Sequence, residues 1–346
     1  MLYLERQQLE TVEDLRAALA NAIRLEFATI PPYLTALFSI KPGRNAVAAT
    51  IIRSVVIEEM LHLSLACNLL NAVGGCPDLV ESVPAYPTEL PMGIGDQPGR
   101  TFVVPLKRLS RDVVDIFMTI EEPEHPIVFK RRALARETDR TYRTIGEFYT
   151  AVGALIGHLG EGVFTGRRDR QVTGWIGTDP LASVHDLPSA QVAITLIIDQ
   201  GEGTATSPAA DPEELAHFYR FEQIHRGQTL TQHPAAPHGY LWGPPPVVLD
   251  DAGVWPMTDN PPLVPLPAGS EVERVSSQFD GTFTALVDAL QRTFDGNPTT
   301  LGSAMAQMHA LRIEAQRLMP LAVPDVDGTA GPRFVYTAPR TVGSNG

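Results

Sequence analysis

The 346-residue chain carries 27 basic against 40 acidic residues, a net charge of −13 that disfavours nucleic acid and anionic membrane as partners. With 44% hydrophobic and 19% charged residues, it has the composition of a soluble globular protein with a large core. Its two cysteines make no disulfide framework, no apolar run is long enough to span a bilayer, and the charged start MLYLERQQLE is not a signal peptide, so the chain reads as cytoplasmic.

The first helix begins at Thr11, which can form a capping arrangement with Asp14. Its inward face runs Leu15, Ala18, Leu19, Ala22, Ile23, Glu26, Ile30 and Tyr33, an apolar stripe broken by one carboxylate, Glu26. Pairing of Glu26 with Arg24 or Arg53 at the surface is the weaker reading, given that position. Pro31 and Pro32 remove backbone donors, so a kink or break is expected there. The second helix spans Asn45 to Val73, with Asn45 as its cap and Gly74-Gly75 as its stop. Its stripe contains Ile52, Val55, Val56, Glu59, His62, Leu63, Ala66, Leu69, Leu70 and Val73. Glu59 and His62 stand one turn apart in the middle of it. Burying such groups unpaired costs several kcal/mol or forces them neutral. They either pair with each other and with polar groups of another helix, or they hold a metal ion, as Glu-x-x-His does in carboxylate bundles.

The Pro- and Gly-rich stretch from Gly74 to Arg100 ends in a strand-like run, Thr101 to Leu106. Ser110 caps a short helix over Arg111 to Glu121, closed by Pro123, and Glu124 to Arg143 reads as a basic loop or lid. Thr144 with Glu147 opens another helix, which makes Glu147 a cap residue first and a reserve ligand second. Phe164 to Asp186 reads as loop. Pro188 to Glu202 is rich in β-branched residues, yet Pro188 and the trailing glycines predict a helix on which Gln191, Thr195, Ile198, Asp199 and Glu202 share a face. Glu202 is then either a third interior carboxylate or an exposed acid in a glycine-flanked turn. Asp211 and Pro212 predict the start of the next helix, with Leu215, Phe218, Tyr219, Glu222, His225 and Thr229 facing inward. Glu222 and His225 form a second Glu-x-x-His. Beyond it, His233 to Pro267 reads as an ordered wrap, followed by helices over Glu271 to Phe294 and Thr299 to Met319. Met305, Met308, Leu311, Ile313, Leu318 and Met319 read as packing surface, and the tail from Asp325 is expected to lie extended on the surface.

The order Glu26, Glu59-x-x-His62, Glu202, Glu222-x-x-His225 is the ligand set of a di-iron carboxylate four-helix bundle. Oxygen- and nitrogen-rich donors without thiolate suit iron or manganese over structural zinc. The segments LEFATIPPYLTALFSI, IRSVVIEEMLHLSLACNLLNAVGG, TIGEFY, DQGEG and GPRFVY resemble the ferritin-like family of the iminophenyl-pyruvate dimer synthase type, a module of violacein- and rebeccamycin-type tryptophan-dimer pathways. That resemblance implies an all-α ferritin-like four-helix bundle with long Pro-rich insertions and extra C-terminal helices. It also places metal ligands at Glu26, Glu59, His62, Glu202, Glu222 and His225. The expected organisation is one domain, with the bundle core at about residues 11–230 and the wrap and helices at 231–346. The expected function is a non-haem di-iron, dioxygen-dependent oxidase or oxygenase of specialised metabolism. Its partners would be dioxygen and a small amino-acid-derived substrate, with no nucleic acid or membrane and with homo-oligomerisation left open. The alternative is a ferroxidase or metal-binding protein without an organic substrate. Asp199 is expected either to orient His62 or His225 or to face solvent. Tyr33 and Tyr219 are expected to line the pocket, or to be ordinary core tyrosines.

Overall fold

Polar caps set most of the helix starts. Thr11 accepts from the Asp14 amide while Asp14 accepts from the Thr11 amide, and Ser110, Thr144 and Asp186 cap their helices in similar ways. The computed structural model describes the chain apart from residues 1–3, 6–8, 95–100, 124–140, 143, 178, 204–206, 212–213, 262–265 and 339–346. Most of the expected basic lid, 124–143, therefore lies outside the described residues. The α-helices among the described residues are α1 (Val12–Phe38), α2 (Ala46–Ala72), α3 (Arg111–Ile120), α4 (Ile145–Leu159), α5 (Leu187–Glu202), α6 (His217–Arg226), α7 (Glu271–Phe294) and α8 (Leu301–Leu318). None of them is long and apolar enough to cross a membrane.

Helices α1, α2, α5 and α4 close a four-helix ring, each packing on the next and α4 returning to α1. The α3–α6 pair joins through contacts of α6 with α2 and α5, while α7 and α8 pack on each other outside the ring. Strands are short antiparallel pairs, the longest being Gln228–Gln232 with Tyr240–Pro246. Two backbone bonds tie the centre of the Pro-rich segment to the residues that follow α1. The Trp255 amide donates to the Ser39 carbonyl at 2.7 Å, and the Lys41 amide to the Gly253 carbonyl at 2.9 Å.

Three details correct the sequence reading. Asn45 does not cap α2 with its side chain; its amide bonds the backbone of Asp250 in both directions, tying the helix start to the wrap. Helix α1 is not broken at its prolines. Pro32 cannot donate to the Ala28 carbonyl, and the Tyr86 hydroxyl does so instead at 2.9 Å. Tyr86→Phe should orphan that carbonyl and cost about 1–3 kcal/mol, read as a lower urea midpoint at unchanged slope. Nor does the tail stay on the surface. Phe334 is buried edge-on between Phe279 and Phe283, at 5.2 and 5.3 Å between ring centroids, and Arg333 pairs with Asp280. Burying those rings outweighs the freedom of the segment. On α8 the packing surface is narrower than expected, for Leu311, Leu318 and Met319 are buried but Met305 and Ile313 are exposed.

Candidate metal centre

The carboxylates that interrupt the apolar stripes of α1 and α2 meet inside the bundle. Glu26, Glu59 and His62 are all buried. Glu59 Oε2 accepts from Thr29 Oγ1 at 2.5 Å, which fixes one of its oxygens to α1. Glu26 Oε1 accepts from the Tyr149 hydroxyl of α4 at 2.5 Å. His62 Nδ1 lies 3.6 Å from Glu59 Oε1 and 3.8 Å from Glu26 Oε2, while its Nε2 meets Gln200 Oε1 of α5 at 2.9 Å.

The other half of the cluster comes from helix ends. Glu121 follows the last residue of α3, and its Oε1 accepts from the Tyr33 hydroxyl at 2.5 Å. His217 is the first residue of α6 and fully buried; its ring stacks near that of His62, 5.4 Å between centroids. Its Nδ1 lies 3.0 Å from Glu59 Oε1 and 3.5 Å from Glu121 Oε2. Its Nε2 meets Glu58 Oε2 at 3.1 Å, and Arg220 grips the same carboxylate with both terminal nitrogens, at 2.6 and 3.0 Å. Glu202, the last residue of α5, rests its Oε1 on the Gly146 amide at the start of α4, 2.6 Å away. A Cβ at Gly146 would come within 2.6 Å of that carboxyl group, so glycine leaves Glu202 its place. Glu26, Glu59, His62, Glu121 and Glu202 all line a space of about 30 Å³, walled otherwise mainly by Leu25, Ile120, Ile145, Ile197 and Ile198. That is room for one or two water-sized groups.

Of the ligands expected from sequence, Glu26, Glu59, His62 and Glu202 are brought together here. Glu222 and His225 are not. Glu222 pairs with Arg226 one turn on at 2.7 Å, and the half-exposed His225 puts Nδ1 2.7 Å from Asp115 Oδ1 of α3. The reason is the start of α6. Ala209–Asp211 pairs with Glu214–Leu215, so the helix begins at His217, and its inward face is His217, Arg220, Phe221 and Ile224. On α5 the partner of His62 is Gln200; Asp199 sits on the neighbouring, half-exposed face. Tyr33 stands behind Glu121, whereas Tyr219 packs in a satellite core with Ala209, Ala216, Leu230 and Tyr240. Glu147 keeps its place in the first turn of α4, its amide donating to the Thr144 hydroxyl at 3.1 Å. Glu121 and His217 were missed. Glu121 continues the apolar row Val114 and Phe117 at helical spacing, the same signal that singled out Glu26.

The electrostatics of the cluster call for positive charge. Burial, and then the charge of Glu59, push Glu26 up to about 8, and the same two causes raise Glu121. Burial would raise Glu59 too, but the imidazoles of His217 and His62 outweigh it and hold Glu59 low. Burial opposes charge on both histidines, yet the surrounding carboxylates raise them, His217 well above the ordinary value. Burial likewise works against Glu58, which His217 and Arg220 nonetheless hold at about 2. Protons thus neutralise the cluster as it stands. A cation fits it better in one respect. His217 Nδ1 is buried and near two carboxylate oxygens, but makes no hydrogen bond of acceptable geometry. Ligand atoms of Glu59, His62 and His217 all lie within 4.8 Å of one another, as around a shared ion.

Comparison with known proteins agrees with the helical fold. The model of the ferritin-like family matches residues 19–226, a span that contains every residue of the cluster. A solved ferritin-like protein from Caulobacter vibrioides is 26% identical, superposes with a TM-score of 0.62, and is matched over 95% of this chain and 99% of its own. No curated protein matches the sequence.

Proposed function

The chain belongs to the ferritin-like family, and on that premise we propose that Glu26, Glu59, His62, Glu121, Glu202 and His217 hold two metal ions, iron or manganese. The observation that carries this reading is the position of Glu59. Its Oε1 lies 3.6 Å from His62 Nδ1, which is also near Glu26, and 3.0 Å from His217 Nδ1, which is also near Glu121. An iron pair bound there would supply the electrons that dioxygen takes up. The chain's own residues do the rest. Tyr149 and Tyr33 hold the outer carboxylates by their hydroxyls, and the leucine and isoleucine wall keeps bulk water away. We read the protein as a dioxygen-dependent oxidase or oxygenase acting on a small amino-acid-derived metabolite. The resemblance of its segments to the iminophenyl-pyruvate dimer synthase type supports that substrate class.

One observation favours a second reading, in which ferrous iron itself is the substrate: the space beside the cluster, about 30 Å³, takes nothing larger than water-sized molecules as it stands. The test is to add ferrous iron in large excess under air and count what survives desalting. About two irons per chain, with oxygen uptake stimulated by an aromatic amino acid or its 2-imino acid, is the result expected. Tens of irons per chain in a high-mass assembly would establish storage and remove the oxidase reading.

A further inference from the structure

The two histidines of the centre are supported from behind in different ways. His62 Nε2 meets the neutral amide oxygen of Gln200 at 2.9 Å. His217 Nε2 meets the carboxylate of Glu58 at 3.1 Å. Arg220, which grips that carboxylate, also reaches Glu214 at 3.2 Å, so its guanidinium is shared between two carboxyl groups. Of the remaining donors, Glu59 serves both histidines, Glu26 and Glu121 each accept one tyrosine hydroxyl at 2.5 Å, and Glu202 accepts from the Gly146 amide at 2.6 Å. A carboxylate behind an imidazole fixes its tautomer and makes it a stronger donor to a cation; an amide oxygen fixes the tautomer but adds no charge.

We propose that the two ion positions are unequal, that the one formed by His217, Glu121 and Glu59 binds tightest and fills first, and that Glu58 is the positioning residue that sets this order. The proposal rests on the two-ion reading above. It makes the centre a site that is loaded in sequence. The first ion settles against the side held by Arg220, and the second completes the side lined by Glu26 and His62.

The experiment is an anaerobic titration of the chelator-stripped full chain with Co²⁺ alone, followed by calorimetry and visible absorption. Repulsion between two ions separates their binding steps even at equal positions, so single-position variants carry the test. His62→Ala should keep the tight position and His217→Ala the weak one, with the ion in His217→Ala held roughly 10- to 100-fold more weakly than the ion in His62→Ala. Adding Glu58→Gln to His62→Ala should weaken the remaining ion by a similar factor. Should that double variant fail to fold, the comparison of the two single variants decides. Equal affinities, or a tighter ion in His217→Ala, would overturn the order of filling while leaving two ions per wild-type chain. A Glu58→Gln change that leaves the remaining affinity intact would overturn the role of Glu58. Wild-type protein that takes up fewer than two cobalt ions would instead overturn the two-ion reading itself.

Discussion

Replacing His217 by alanine should remove at least one of the two ions, while His225→Ala leaves both in place. His217 Nδ1 is buried within 3.5 Å of carboxylate oxygens from both Glu59 and Glu121. The His225 ring is half-exposed and paired with Asp115. Losing one of two imidazoles at an oxygen-rich site removes a neutral, directional ligand that no neighbour replaces, so metal content per chain should fall from about two to one or fewer. Metal analysis after desalting reads the result directly. Full metal content in His217→Ala, or loss of metal in His225→Ala, would return the second ligand pair to Glu222 and His225.

The second large effect is on stability, and its sign follows from the direction of the shifts. Glu26, Glu121, His62 and His217 all have folded-state values raised above their ordinary ones, Glu26 from 4.5 to about 8. Between those limits the folded chain binds more protons than the unfolded chain, so stability is highest below the ordinary values and is lost as pH rises through the raised ones. Glu58 and Glu59 are lowered, and their contribution is lost only as pH falls below the ordinary carboxylate value of 4.5. Chelator-stripped protein should therefore melt at a lower temperature at pH 8 than at pH 6. Metal should reverse the trend, because ligands shed protons to bind it. An ion at a thousand times its dissociation constant adds about 4 kcal/mol, and this gain should be larger at pH 8 than at pH 6. A stripped chain whose melting temperature rises over the same interval would show that protons do not hold the empty cluster together.

How much of this was legible depended on helix length. In the 27-residue helices α1 and α2, periodicity has room to declare a face, and Glu26, Glu59 and His62 stood out as polar residues within an apolar stripe. The 10-residue helices α3 and α6 give that signal too few repeats. In α6 strong local signals misled as well: Asp211 and Pro212 look like a helix start, and Glu222-x-x-His225 copies the motif of α2. Strand pairing before Ala216 delays the helix, and the burial of Phe221 and Ile224 turns His217 inward instead. That competition is tertiary, and no window of sequence contains it. In α5 the helix and the inward Glu202 were legible, but the residue that meets His62 is Gln200, next to the expected Asp199. The supporting pair Glu58 and Arg220 was invisible for a related reason: it joins residues 162 positions apart.

The donors divide into two kinds by where they sit. Glu26, Glu59 and His62 stand inside long helices whose backbone bonds hold with or without an ion. Glu202 is the last residue of α5, His217 the first of α6, and Glu121 follows the last residue of α3, places where a helix has the fewest backbone bonds of its own. An ion held by both kinds would fasten three helix ends to the middles of α1 and α2. Two of those ends, at Glu121 and Glu202, line the small cavity.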